Sequence, residues 1–243
     1  MSLHHRVDGE GERVVVLAGS LGSTLEMWDA QVPALAERFR VLRYDHPGHG
    51  GSPLPYVRSV EGLAEETLAL LEELGLDRVS FCGLSLGGAV GMRLALDVPD
   101  RVDRLVLAST SMRFATPDFW EERARTAREQ GVEAIADVAL ERWFTPEFED
   151  MRRYREMLVS TPAEGYARCC EAVRDWDVRG KLGDIRVPTL VVAGADDPST
   201  PLADLEAIAD EIPDAQLVVI DHARHLSNVE RAGEFNAAVL EFL

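Results

Sequence analysis

Gly83-Leu84-Ser85-Leu86-Gly87 decides how this chain is read. The apolar run Val79-Ser80-Phe81-Cys82 leads into it, and Gly88-Ala89-Val90-Gly91-Met92, a helix start built of small residues, leads out. A Gly-x-Ser-x-Gly between a strand and a helix is the signature of a nucleophile elbow. The turn is so sharp that the serine takes strained backbone angles, and side chains two residues to either side would collide with it. That strain lifts the hydroxyl clear of the sheet and aims the following backbone N–H at a reacting oxygen. Gly and Ser are common, so the motif draws its weight from the strand before it and the helix after it.

Outward from the elbow, β-branched runs alternate with helical patterns. Val14 to Ala18, Val41 to Tyr44, Val79 to Cys82, Leu105 to Ala108, Leu190 to Ala193 and Leu217 to Ile220 read as buried parallel strands. An early strand near Leu3 to Val7 is expected at the sheet edge. Helices are expected over Trp28 to Phe39, Val60 to Leu74, Leu86 to Asp97, Leu202 to Ile212 and Ala232 to Leu243. This is the pattern of an α/β fold, a mostly parallel sheet covered by helices on both faces. From about Arg113 to Lys181 the patterns are helical only: Asp118 to Gln130, Val132 to Phe144, Glu149 to Leu158 and Ala163 to Arg174. The expected organisation is therefore a core of residues 1–112 and 182–243, with residues 113–181 inserted as a helical lid over the carboxyl edge of the sheet. Thr161-Pro162-Ala163-Glu164 carries a capping-box pair, which predicts a helix start with Pro162 at the first helical position. Glu121-Glu122-Arg123-Ala124-Arg125 predicts a solvated helix face.

The 243 residues suffice for one large domain with a proper core. A formal net charge of −18 argues against a nucleic-acid partner, and it obliges any anionic ligand to find local positive charge. No stretch reaches the roughly 18 apolar residues of a membrane span, and the first residues lack a signal-peptide pattern. Three cysteines without ligand-like spacing predict a reducing compartment, with the cytoplasm as the default, and packing roles for Cys82, Cys169 and Cys170. No His/Asp/Glu cluster has metal-ligand spacing, so no metal is inferred.

A serine hydroxyl needs a base to take its proton, and the base needs a carboxylate to fix its tautomer. In this architecture the partners follow in the order serine, acid, histidine. Val191-Val192-Ala193-Gly194-Ala195-Asp196-Asp197 leaves a strand and delivers two aspartates, of which Asp197 is the expected acid and Asp196 the runner-up. Asp221-His222-Ala223-Arg224-His225 follows the last strand, with His225 the expected base and His222 a capping or packing residue. Ser85, Asp197 and His225 thus form the candidate triad. The oxyanion donors are expected from the N–H of Leu86 and of Leu21, the latter in the loop Gly19-Ser20-Leu21-Gly22-Ser23. That loop lacks the lysine of a phosphate cradle. His46 and His49, in Tyr44-Asp45-His46-Pro47-Gly48-His49-Gly50, sit in a Pro/Gly turn and are expected to hold the loop in place. On the helix from Val132, the stripe Ile135, Val138, Ala139 and Trp143 includes Arg142, which either faces the cleft or snorkels along apolar surface.

Beyond the elbow and strand-end turns, Ser20 to Trp28, Arg43 to Gly50, Glu141-Arg142-Trp143-Phe144-Thr145-Pro146, Glu164 to Cys170 and His225-Leu226-Ser227-Asn228-Val229-Glu230 are similar to the 3-oxoadipate enol-lactonase family of the α/β-hydrolase fold. The similarity covers nearly the whole chain and departs from the family pattern at Leu86, His46 and Arg224. It implies a serine hydrolase that opens an anionic small-molecule enol-lactone without a cofactor. It further implies that Arg142 and Trp143 lie over the active site, where Arg142 binds the substrate's free carboxylate. Alternatives of the same fold are a C–C bond hydrolase of ring-cleavage products and a general carboxylesterase. A non-catalytic small-molecule receptor is a more distant one.

Overall fold

In a computed structural model that describes residues 2–243, the run before the elbow is a strand buried at all six positions, Val79–Leu84. Numbered along the chain, the strands are β1 (His5–Asp8), β2 (Val14–Ala18), β3 (Arg40–Tyr44), β4 (Val79–Leu84), β5 (Val102–Ala108), β6 (Thr189–Gly194) and β7 (Gln216–Ile220). They form one sheet in the order β1-β3-β2-β4-β5-β6-β7. Only β1 runs antiparallel, pairing with β3 through His5↔Tyr44 to Asp8↔Val41. The central strands are apolar on both faces because helices cover both. At the far edge β7 is only partly buried, with Val219 exposed, so the expectation of a fully buried strand fails there.

The flanking helices begin with α1 (Val32–Ala36), α2 (Val60–Glu73) and α3 (Leu86–Asp97). Helix α2 is capped by Ser59, whose side chain accepts a hydrogen bond from Gly62 N at 3.2 Å. The single helix expected from Trp28 to Phe39 is instead a 3-10 turn, Leu25–Trp28, followed by the short α1. Pro33 in the first turn of α1 accounts for the break: it has no N–H to donate to Asp29 O, the bond a helix running through from Trp28 would need.

Between β5 and β6 the chain forms only helices: α4 (Pro117–Gln130), α5 (Glu133–Trp143), α6 (Met151–Val159) and α7 (Ala163–Arg174), apart from a 3-10 turn at Leu182–Asp184. Helix α4 packs along α7, and α5 packs against α4 and α6. On α5 the buried face is Ile135, Ala136, Ala139, Leu140 and Trp143, whereas Val138 is 54% exposed. The expected stripe is therefore displaced by part of a turn, with Val138 in solvent. The capping box does not form either. Pro162 is the N-cap of α7, and the Thr161 hydroxyl is buried without a partner. Glu164 turns outward to Arg128 (2.7 Å) and Arg168 (2.9 Å), whose hydrogen bonds hold its carboxyl at about 2. After β6 come α8 (Leu202–Glu211), the unforeseen single turn α9 (Ser227–Glu230) and α10 (Ala232–Phe242). Cys82, Cys169 and Cys170 are free and buried, and burial pushes each thiol well above its ordinary range.

Helix α7 seats on the loop after β3 by backbone contact. A Cβ on Gly165 would lie 2.1 Å from Gly48 O, a distance real side chains do not reach. Gly165→Ala is therefore expected to destabilise the protein by about 1–3 kcal/mol, as overpacking of a closed contact does. Urea unfolding checks this, and an unchanged midpoint would contradict it.

Candidate active site

Ser85 occupies φ 56° and ψ −111°, between the end of β4 and the start of α3. The backbone around it explains why its flanking residues are glycine. A Cβ on Gly83 would lie 2.1 Å from Gly87 O, and one on Gly87 would lie 2.1 Å from Ala18 O. Hydrogen bonds hold the strained turn: Ser85 N donates to Ala108 O (2.9 Å), Gly87 N to Gly19 O (3.0 Å) and Thr110 Oγ1 to Ser85 O (2.8 Å). The ends of β2, β4 and β5 are thereby tied together under one side chain.

The two expected partners come from the loops after β6 and β7. His225 Nδ1 lies 2.8 Å from Asp197 Oδ2, and both side chains are buried. A carboxylate can only accept from this nitrogen, so Nδ1 carries the proton and Nε2 is left free. Asp197 also accepts from Ser199 N (2.7 Å), Thr200 N (3.2 Å) and Thr200 Oγ1 (2.6 Å). Burial alone would raise the Asp197 carboxyl. The charge and hydrogen bond of His225, with the Thr200 and Ser199 bonds, outweigh burial and hold it below its ordinary value. Asp196 is exposed, and so is His222, which neither caps nor packs.

The histidine loop is anchored to the end of α5. Leu226 N donates to Trp143 O at 3.1 Å, and Glu230 accepts from Arg224 N (2.8 Å) and Thr145 N (2.7 Å). Arg224, one of the departures from the family pattern, sends its guanidinium to the carbonyls of Glu141 and Phe144 (3.2 Å for Phe144). There it meets the negative end of the α5 dipole.

Ser85, His225, Leu21, Arg142 and Trp143 line a single pocket, which holds about 530 Å³ of empty space including its mouth. Among the described residues, no hydrogen bond joins Ser85 to His225, although both face this space. Leu86 lies beneath the lining, at the N-terminus of α3. Neither its N–H nor that of Leu21 meets a backbone acceptor among the described residues. No group of three His, Cys, Asp or Glu is placed to hold a metal ion among those residues.

Arg142 is half-buried in the pocket wall, its guanidinium 5.5 Å from the centre of the Phe119 ring. A second arginine shares that wall. Arg123 was expected on a solvated face, yet it lines the pocket, donates to Tyr166 Oη at 2.7 Å and lies 5.6–6.0 Å from the Tyr166, Phe119 and Trp120 rings. Spacing signals only the shared face: Arg123 follows Phe119 by four residues and Trp120 by three, so on a helix all three lie together, while the packing of α4 puts that face over the pocket. Arg125 and Arg128 of the same helix pair with glutamates, whereas Arg123 and Arg142 have no carboxylate within ion-pair distance among the described residues.

A strained serine between strand and helix, with an Asp-bound histidine on the same pocket, defines a class. Residues 13–232 match the α/β hydrolase fold family, and the chain belongs to it. It is 37% identical over 246 residues to 3-oxoadipate enol-lactonase 2 of Acinetobacter baylyi, covering 98% of this chain and 92% of that protein. A protein of Agrobacterium fabrum that carries the name "Putative carbamate hydrolase RutD" is 31% identical, over 99% of this chain and 96% of its own. Among solved structures, the enol-lactonase from Burkholderia xenovorans superposes with a TM-score of 0.96 at 40% identity, over 99% of this chain and 95% of that one.

Thr200→Val keeps the shape of the site and removes one hydrogen bond to Asp197. Because the native carboxyl lies below its ordinary 3.8, its partners stabilise the fold above that value and lose their effect as pH falls through the depressed native value. The substitution is therefore expected to cost about 1–2 kcal/mol at neutral pH. The difference should shrink on acidification below the ordinary carboxyl value. Denaturant unfolding at both pH values checks this, and a penalty independent of pH would contradict it.

Proposed function

We propose that the protein is a serine hydrolase that opens an enol-lactone bearing a free carboxylate, as in the conversion of β-ketoadipate enol-lactone to 3-oxoadipate. The observation that carries the reading is the Asp197–His225 bond on a pocket shared with Ser85, beneath two arginines without acidic partners. The similarity to enol-lactonases at 37–40% identity over nearly the full chain points the same way.

In this mechanism Ser85 Oγ attacks the lactone carbonyl carbon while His225 Nε2 takes the hydroxyl proton. Such contacts are often long in the free enzyme and tighten on substrate. Asp197 stabilises the imidazolium that forms. The N–H groups of Leu21 and Leu86 receive the oxyanion, assisted by the positive end of the α3 dipole. Collapse of the tetrahedral intermediate breaks the ring C–O bond. The enol oxygen leaves, takes the proton from His225, and the enol tautomerises to the ketone. Water then gives its proton to His225 and attacks the acyl-enzyme; His225 returns that proton to Ser85 as the second carboxylate is released.

Arg142 holds the carboxylate that does not react, with Arg123 beside it and Trp143 forming part of the apolar wall. In a chain of net charge −18, these cations provide the local attraction that an anion needs. A carbamate substrate is the second reading, favoured by the similarity to RutD. A simple carbamate has no second carboxylate to occupy the two arginines.

Ser85→Ala is expected to cut turnover of the enol-lactone roughly 10⁴- to 10⁶-fold. Near-normal turnover in a spectrophotometric assay would refute the covalent route. Arg142→Ala should raise KM for the carboxylate-bearing lactone about 10- to 100-fold, the worth of a charge-assisted hydrogen bond. It should leave hydrolysis of the neutral ester 4-nitrophenyl acetate within a few-fold. Equal losses on both substrates would place Arg142 outside carboxylate recognition.

A further inference from the structure

We propose that His46 and His49 are positioning residues that clamp the two ends of the Gly19–Ser23 loop and so hold the Leu21 N–H in place for the oxyanion. The inference rests on the reading of Leu21 as an oxyanion donor and deepens it. Both histidines lie in the turn after β3, fully buried, with ring centroids 6.4 Å apart.

His46 Nε2 lies 2.9 Å from Gly19 O, and His49 Nε2 lies 3.0 Å from Gly22 N. A carbonyl can only accept and an amide N–H can only donate, so the two Nε2 atoms take opposite roles, donor in His46 and acceptor in His49. His46 carries its proton on Nε2, and His49 has a bare Nε2. His49 Nδ1 lies 3.2 Å from Pro47 O, which accepts the remaining proton and locks that tautomer. Burial, with His49 alongside, pushes His46 down to about 3, and burial pushes His49 down to about 4 against the opposing pull of Pro47 O and Asp45. Both rings therefore stay neutral and keep these roles at neutral pH.

Residues 20 and 21 lie between the clamped positions. Gly19 O also accepts from Gly87 N at 3.0 Å, which ties the loop to the residue two beyond Ser85. Ser20 is held separately, its N–H 3.4 Å from Met27 Sδ and its carbonyl accepting from Ser23 Oγ at 2.8 Å. The Leu21 N–H is thus left free in a loop held at Gly19 O, at Ser20 N–H and O, and at Gly22 N–H. His46 also carries a cost that a packing residue would avoid: its Nδ1 is buried without a partner. A phenyl ring would fill the same space without that cost, but it could not hold Gly19 O.

Phenylalanine and glutamine substitutions separate positioning from packing. Phe keeps a ring and removes the hydrogen bond, whereas Gln restores a donor or an acceptor near the Nε2 position. With 4-nitrophenyl acetate, His49→Phe and His46→Phe are each expected to lower kcat about 10- to 100-fold, somewhat less than outright loss of an oxyanion donor. KM should stay within about twofold, and H49Q and H46Q should recover most of the rate. Affinity for phenylboronic acid, which forms a tetrahedral adduct on the serine, should fall in parallel with kcat. Folded Phe variants with kcat and boronate affinity unchanged, or with only a lowered Tm, would overturn the proposal. If one Phe variant does not fold, the other tests the remaining clamp. Absence of ester hydrolysis and boronate binding in the unsubstituted protein would overturn the reading of the whole site, and the clamp with it. Their presence beside unaffected Phe variants would overturn the clamp alone.

Discussion

At the elbow two backbones meet with no room for a side chain between them, and the chemistry proposed for this protein depends on that contact. Gly87 passes so close to Ala18 O that even a methyl group is excluded, and its N–H closes on Gly19 O. The same crossing holds Ser85 at a positive φ and brings the loop bearing Leu21 beside the start of α3. Holding a non-glycine residue in such a conformation costs about 1–3 kcal/mol and persists only where the surroundings over-determine it. Here the bonds to Ala108 O and from Thr110 do so. The strain is localised at the one residue whose hydroxyl must stand clear of the sheet.

Electrostatics divides the site into two parts with opposite demands. Behind the pocket, Asp197 keeps its charge in a buried setting because four hydrogen bonds, one of them from His225, compensate for lost water. Over the pocket, two guanidiniums lie against aromatic faces with no acidic partner. Cation–π contact gives them partial compensation and leaves hydrogen-bonding capacity that the proposed anionic substrate would use. The acidic surface does not prevent this, since exposed charges beyond about 8–10 Å are largely screened at physiological salt. The histidine loop and α5 share anchors at Glu230, Arg224 and Trp143 O, so His225 and Arg142 are positioned by a common joint.

Much of this is legible in the sequence. The strands β2 to β7 and the four inserted helices follow from periodicity, because buried strands and long amphipathic helices carry their signal locally. That the Asp197 and His225 side chains can meet follows from their places after the successive strands β6 and β7. What escaped is what tertiary contact decides. The capping box at Thr161 and Glu164 was locally plausible, but Arg128 and Arg168 attract Glu164 more strongly. Arg123 reads as one charge in a polar run until α4 is packed with that face over the pocket. The turn α9 is too short to show a period. From the sequence His46 and His49 read as holding their own loop, whereas they also grip a second one, 27 residues earlier in the chain.

The central claim is that Ser85 is the activated nucleophile of an Asp–His-supported site. Intact-protein mass spectrometry after treatment with a fluorophosphonate, followed by peptide mapping, tests it most directly. The account predicts a single phosphonyl adduct, located on Ser85, whose formation slows sharply when His225 is replaced by alanine. An adduct on another residue, no adduct, or labelling indifferent to His225 would contradict it.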